Sequence, residues 1–369
     1  MNWWPALAAF AGTTLAMWGL VWLAPRLGLL DLPGGRKDHA APTPAVGGVA
    51  MLLACIATLP MTLPLSSQIS GLAVASLIVV AIGVYDDHHE VRWYWRLGFQ
   101  MLAGWVITLW GGIRVGELGA TFGLASLDLG VWSIPFTVFA TVGLINALNM
   151  IDGADGLAGS LALAALAMLG AAAVYAGNDR LAERVLIVCG ALAGFLLWNL
   201  RSPWHHRARA FMGDAGSGFL GLVVAWVAFR LTENEGHPVN PVLALWLLPI
   251  PVMDCLVLIV HRLRERRSPF AAGRDHIHHL MGDAGFSPMQ IVGWLVLASL
   301  LSGLAAGQAM RLDVPNPLLL MLYLMLCLGW YLLTRRRQRA VNLFRRLRGA
   351  PTQATPVIAA PDVAGKDGA

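Results

Sequence analysis

Charge is what this chain has little of. Only 13% of its 369 residues are Asp, Glu, Lys or Arg, against roughly a quarter in soluble domains, so the composition argues against a water-exposed globule. Cysteine is scarce as well. The four present, Cys55, Cys189, Cys255 and Cys327, lie inside apolar runs without metal-ligand spacing, which speaks for small buried hydrophobes and against disulfides, zinc or redox chemistry. No polar stretch is long enough for a separate soluble domain. The amino end lacks a basic segment, because the first arginine, Arg26, follows an apolar run instead of preceding one. It therefore reads as a retained first span and not as a cleaved signal peptide.

What is present is apolar sequence, 57% of the chain, cut into runs of membrane-spanning length. The spacing predicts an all-α polytopic membrane protein with eleven spans: 3–24, 46–64, 70–85, 97–112, 132–150, 157–176, 184–200, 216–232, 241–260, 289–309 and 316–334. With the N-terminus outside and the C-terminus cytoplasmic, twenty of the 26 basic residues fall in inward segments, grouped near 26–37, 92–96, 201–209, 262–274 and 335–348. Only Arg114, Arg180, Arg184, Arg230 and Arg311 face outward, with Lys366 in the tail. Adding or dropping a span would destroy that positive-inside bias. Residues 1–334 read as one multispanning domain and 335–369 as a basic juxtamembrane segment with a disordered tail. In that segment arginines flank Val341, Phe344 and Leu347, the pattern of an interfacial helix on anionic lipid. The Gly-rich 111–131 reads as a small outward hairpin.

The richest stretch is 146–160, where Asn146, Asn149, Asp152 and Asp155 sit between two apolar runs. Helical spacing places the first three along one face, with Asp155 continuing the series and Gly153 and Gly156 loosening the helix. An ionised Asp at the bilayer centre costs about 2.5 to 3.5 kcal/mol. The cluster therefore needs a cavity, a membrane boundary or a cation. The same topology brings further polar segments to the cytoplasmic side: Asp31 to His39, Asp86 to Glu90, Phe211 to Ser217 and Arg274 to His279.

Each segment has a chemical reading and a plain one. Asp86 and Asp87 offer hard oxygen ligands or a base, or else a solvated helix end. Arg92 and Arg96 suit a phosphate or those carboxylates, and equally serve as basic flanks. Asp214, in Phe-Met-Gly-Asp-Ala-Gly-Ser, takes a cation beside an anion held at the following helix start, or simply caps the 216–232 span. Phe211 stacks on a base or belongs to an aromatic belt. His276, His278 and His279 suggest zinc at first sight, yet the accompanying groups are carboxylates and amides, the ligand set of magnesium; they read as donors to a diphosphate or sugar. Arg36, Lys37 and His39 form a basic, turn-rich loop able to close over a phosphate, or a connector.

The order of these motifs resembles the polyprenyl-phosphate N-acetylhexosamine-1-phosphate transferases. Asp31-x-Pro-x-x-Arg36-Lys37-x-His39, Pro44-x-x-Gly47-Gly48, Asp86-Asp87 with Leu97 and Gln100, Asn146-x-x-Asn149-x-x-Asp152-Gly-x-Asp155-Gly-Leu157, Phe211 to Ser217 and His276-x-His278-His279 follow the family's sequence from residue 31 to about 285. Two positions depart from it: Val91 stands for a Leu, and Arg96 for a Lys, which turns a point contact into a forked one. The resemblance implies that Asp214 and Asn149 hold Mg²⁺, with Mn²⁺ as substitute, on a diphosphate. It implies that Phe211 and Asp155 contact uracil, that the three histidines contact diphosphate or sugar, and that Asp86, Asp87, Arg96 and Lys37 meet a lipid phosphate. Asp86, Asp87, Asp152 and Asp155 would form the catalytic cluster. The His-x-His-His form is similar to the WecA and TagO branch. The activity implied is transfer of N-acetylhexosamine 1-phosphate, most simply GlcNAc 1-phosphate, from a UDP-sugar to undecaprenyl phosphate, releasing UMP and opening a cell-surface glycan at the bacterial inner membrane. No nucleic-acid partner is expected, and a homodimer is allowed. The competing class is a secondary transporter, whose carboxylates would sit near the midplane in pseudo-repeats.

Overall fold

The computed structural model describes residues 2–32, 41–62, 65–89, 91–119, 127–201, 206–234, 239–269 and 273–349. Lys37, with Arg36 and His39, lies outside them, as does the tail from residue 350. In lipid every backbone N–H and C=O must be satisfied within the segment, so apolar runs this long become helices. They are α1 (Trp4–Leu27), α2 (Gly47–Thr58), α3 (Ser67–His89), α4 (Trp93–Trp105), α5 (Ser133–Ile151), α6 (Leu157–Tyr175), α7 (Asp179–Asn199), α8 (Gly213–Thr232), α9 (Pro241–Leu247), α10 (Pro249–Arg264), α11 (Ile277–Asp283), α12 (Pro288–Arg311), α13 (Asn316–Thr334) and α14 (Arg337–Leu347). Two-residue strands β1 (Leu30–Asp31) and β2 (Thr43–Pro44) pair antiparallel.

Each of the eleven expected runs coincides with helix. Among the described residues eight helices are long and apolar enough to cross a bilayer: α1, α3, α5, α6, α7, α8, α12 and α13. The α2 helix, extended by a tighter turn to Thr62, and α4, extended by a wider one to Trp110, are shorter or less apolar. The run expected as one span over 241–260 is broken: α9 and α10 meet at 92°. Pro249 and Pro251 explain the break, since proline lacks the N–H and disfavours helix in the residue before it. Similarly, α7 begins at Asp179, before the expected 184, because the Asn178 side chain accepts from Leu181 N at 3.1 Å and caps the polar first turn.

Two further expectations change. Asp152 and Asp155 do not continue the helical face of Asn146 and Asn149, because α5 ends at Ile151 and Gly156 takes a left-handed φ of 80° before α6. In α14, Ala340 and Val341 are buried and Phe344 packs on Phe286 and Trp330. Part of its apolar stripe is covered by protein, while Leu343 and Leu347 are left outward at 39% and 71% exposure. The 111–131 hairpin is present as a Glu117–Asp128 bridge between described residues.

The core is organised on α8. Of its apolar window 89% is buried, against 17% for α1 and α13, so α8 is the axis and those two are the periphery. Small residues allow the approach. A Cβ on Gly48 would strike the backbone of Gly216, and one on Gly83 the backbone of Ala215. The α2 and α3 helices are thereby pressed against the first turn of α8. Backbone bonds lock the same corner: Phe211 N donates to Pro44 O at 2.8 Å, and Gly47 N and Gly48 N donate to Phe211 O and Met212 O at 3.1 Å.

Candidate active site

That corner carries the polar residues. Asp86 and Asp87 are adjacent in the last turns of α3 and so point about 100° apart around the helix. Asp86, 6% exposed, turns toward α4 and accepts from Val91 N and Arg96 Nη1, both at 2.6 Å. Asp87 turns toward α8, where its Oδ1 accepts from Asp214 N at 2.9 Å. Met212, the capping position of α8, offers no side-chain bond. Hence Asp87 caps the α8 amino end from a neighbouring helix, and the plain reading of Asp214 as the cap does not hold. Gly213 permits the turn with φ of 72°; a Cβ there would collide with the Asp87 carboxylate.

Released from capping, the Asp214 carboxylate is shared. Its Oδ2 accepts from Arg96 Nη1 at 3.0 Å, and its Oδ1 accepts from Asn149 Nδ2, which also reaches Ser217 Oγ at 3.1 Å. Asn146, one turn earlier on α5, donates to Gln100 Oε1 at 2.6 Å. Asp86, Arg96, Gln100, Asn149 and Asp214 line one small cavity. Asp86, Asp87, Arg96, Asn149 and Asp214, drawn from four helices, therefore form one cluster at one end of the bundle. Their charges do not balance. Three carboxylates share a single guanidinium, and Asp87 Oδ2 is sealed from solvent with no partner among the described residues.

This arrangement fits a divalent cation. Half a turn of the Asn149 amide replaces its N–H donor with an oxygen ligand beside Asp214. Among the described residues no three His, Cys, Asp or Glu side chains make a closed metal-holding group. Magnesium does not need one, since it binds through one or two carboxylates and completes its shell with substrate phosphates and water.

A second layer adjoins the cluster. Asp152 ends α5, and burial, with Asp214 and Asp155 adding repulsion, pushes its carboxyl up to about 7. Asp155 is held by Arg201 Nε at 2.6 Å and by Ala208 N at 3.2 Å. Buried Asn199 accepts from Gly156 N at 2.8 Å and donates to Ala210 O at 2.9 Å, pinning the 152–156 loop to the segment that leads into Phe211. Phe211 itself is partly exposed at the start of that corner.

The histidine segment packs on the same loop. A Cβ on Gly153 would collide with the His278 ring. His278 is 3% exposed, with both ring nitrogens sealed and without partners among the described residues. Burial, reinforced by His279, His276 and Arg274, holds its pKa well below that of an ordinary histidine. His278 stacks on His276 with centroids 5.6 Å apart and lies 4.2 Å from His279. His276 Nδ1 bonds Asp254 Oδ2 at 2.8 Å, and Ile277 N donates to Asp254 Oδ1 at 3.1 Å.

Three of these partners, Asn199, Arg201 and Asp254, carry no motif in the sequence. Asp254 did leave a signal: a single carboxylate in an otherwise apolar run, costly unless partnered. The other two leave none beyond lying next to a basic loop.

Fold and site together define a class: polytopic helical membrane proteins whose carboxylates, amides and basic groups meet at one bundle end, where a phosphorylated reactant can be held, and not at the midplane as in a transporter. Residues 69–232 match the family model described as glycosyl transferase family 4. The chain is 31% identical over 343 residues, 93% of each protein, to the undecaprenyl-phosphate alpha-N-acetylglucosaminyl 1-phosphate transferase of Escherichia coli. Its counterparts of that name in Yersinia pestis and Haemophilus influenzae are 33% identical over 328 residues (88% of this chain, 89% of theirs) and 35% over 282 (76% and 79%). The chain belongs to the polyprenyl-phosphate N-acetylhexosamine-1-phosphate transferase family.

Proposed function

We propose that the protein transfers N-acetylglucosamine 1-phosphate from UDP-GlcNAc to undecaprenyl phosphate, releasing UMP and forming the first lipid-linked intermediate of a cell-surface glycan. The observation that carries this reading is the convergence of Asp86, Asp87, Arg96, Asn149 and Asp214. Similarity over nearly the whole length to transferases of that name supports the donor and the acceptor. In this reading residues 1–334 form the transferase in the bacterial inner membrane. The reading has eleven crossings, counting α2, α4 and the bent α9–α10, with the N-terminus outside and the site on the cytoplasmic face, the orientation the positive-inside bias favours. Residues 335–369 are an appended basic segment and tail.

The lipid phosphate is itself the nucleophile. Its second pKa is near 6, so at neutral pH it is already largely dianionic, and catalysis is mainly positioning and charge neutralisation. Asp87 is the candidate to orient that phosphate or take its last proton, with one oxygen committed to α8 and the other without a partner among the described residues. Arg96, bonded to both Asp86 and Asp214, lends its fork to the arriving phosphate, and Lys37 adds a point charge. Asp155, steadied by Arg201, and Phe211 receive the uracil end, and His276, His278 and His279 face the diphosphate and sugar. Asp152, its carboxyl pushed up to about 7 by burial, completes the acidic cluster. Asp214 with Asn149 would hold Mg²⁺, or Mn²⁺ in its place, which supplies Lewis-acid stabilisation of the leaving UMP.

The test is UMP release from UDP-GlcNAc by full-length enzyme in detergent with added undecaprenyl phosphate. Asp214→Asn is expected to lower turnover at least about 100-fold, the scale of losing one electrostatic stabiliser, while the protein still inserts. Wild-type turnover by Asp214→Asn in the presence of Mg²⁺ would remove that residue from the metal site, and no UMP from wild type would end the transferase reading.

A further inference from the structure

Asp254 lies midway along α10, 1% exposed, in a segment whose neighbours are apolar. Both its oxygens are spent on one segment of chain: Oδ2 on His276 Nδ1 at 2.8 Å and Oδ1 on Ile277 N at 3.1 Å. A carboxylate is placed at such depth only if its partners need it, because desolvation opposes its charge. As a carboxylate it can only accept, an arrangement that calls for the shared proton on Nδ1 of the imidazole. That leaves Nε2 as the nitrogen His276 presents outward; it has no partner among the described residues and is not among the sealed atoms. His278, stacked on the opposite side, is neutral and bonds nothing among the described residues, so it cannot perform this orientation.

We infer that Asp254 is a positioning residue for the nucleotide-sugar donor: it holds the His276 proton on Nδ1 and aims the Nε2 lone pair at a sugar hydroxyl, which donates to it. This rests on the transferase reading above for the identity of the ligand, but not for the state of the imidazole. The geometry is that of a carboxylate behind a working histidine: the acid sets tautomer and ring orientation. It differs from a mere tether of the α11 start, for which Oδ1 alone would suffice.

Asp254→Asn separates the two roles. The amide keeps an oxygen for Ile277 N, so the tether survives, but it offers Nδ2–H where His276 Nδ1–H needs an acceptor. The proton must then move to Nε2. UMP release by Asp254→Asn is expected to fall roughly 10- to 100-fold in kcat/KM for UDP-GlcNAc, the scale of leaving a buried polar group unpaired, with melting temperature close to wild type. Asp254→Glu, which retains the acceptor, should recover most of that loss. In a His276→Ala background Asp254→Asn should add less than about two-fold, because partners in one network are not additive. Nitrogen NMR of histidine-labelled full-length protein reads the tautomer directly, with Nδ1 protonated in wild type and in Asp254→Glu and unprotonated in Asp254→Asn. Wild-type kinetics in Asp254→Asn, fully additive losses, or an unprotonated Nδ1 in wild type would each overturn the inference. Should Asp254→Asn fail to fold, the wild-type and Asp254→Glu spectra still decide. If wild type released no UMP, the transferase reading would fall while the NMR result would still judge Asp254.

Discussion

At the residue scale the site is built from side chains that do structural and chemical work at once. Arg201 contacts Asp155 through Nε at 2.6 Å, so Arg201→Ala should loosen the residue assigned to the uracil end. We expect KM for UDP-GlcNAc to rise about ten-fold, one charge-assisted bond's worth, with kcat changed far less; steady-state kinetics at saturating lipid phosphate check it. His278 supplies a pH prediction. Its folded-state pKa is depressed well below the ordinary 6.5 by burial, with His279, His276 and Arg274 adding to the effect. Above pH ~6.5 neither state binds the proton and the folded form keeps its full stability, whereas below that the unfolded chain takes up a proton the folded chain refuses. Stability should thus fall by up to ~1.4 kcal/mol per pH unit on acidification below about 6.5. His278→Gln should flatten that slope, as read from melting temperatures at pH 5 to 7.5.

At the element scale the periodic features were legible in the sequence and the breaks were not. The length of α13 follows directly from its apolar run. The 92° break between α9 and α10 hides in an equally apolar run, where only Pro249 and Pro251 hint at it. The motif residues announced themselves as polar groups inside apolar sequence. What no local pattern carries is which oxygen serves which partner: that Asp87 caps α8, leaving Asp214 for Arg96 and Asn149, depends on α3 and α8 touching through Gly83. The α14 helix was readable as amphipathic, but its covering was not. Its apolar side meets Phe286 and Trp330, and Arg337 reaches Asp275 and Asp283 on the histidine segment. Phe344→Ala should consequently cost about 3 kcal/mol or more of stability in that corner and reduce turnover. Arg345→Ala, whose exposed contact to Asp283 O is 3.3 Å, should leave turnover nearly intact; parallel thermal and UMP-release assays decide.

At the scale of the whole molecule, the proposed orientation predicts that a cysteine introduced in the carboxyl-terminal tail reacts with membrane-impermeant maleimide only after cells are opened, whereas one beside Asn2 reacts in intact spheroplasts. Labelling of both from outside would require an even number of crossings and contradict the eleven proposed. The burial of α8 carries another consequence. The bundle's most enclosed helix begins at the very carboxylates that await the reactants, so occupancy of the pocket and rigidity of the scaffold are mechanically linked. Inhibitor discovery can exploit this, because any compound that truly engages Asp87 or Asp214 should slow hydrogen exchange deep within α8, far from where it lands.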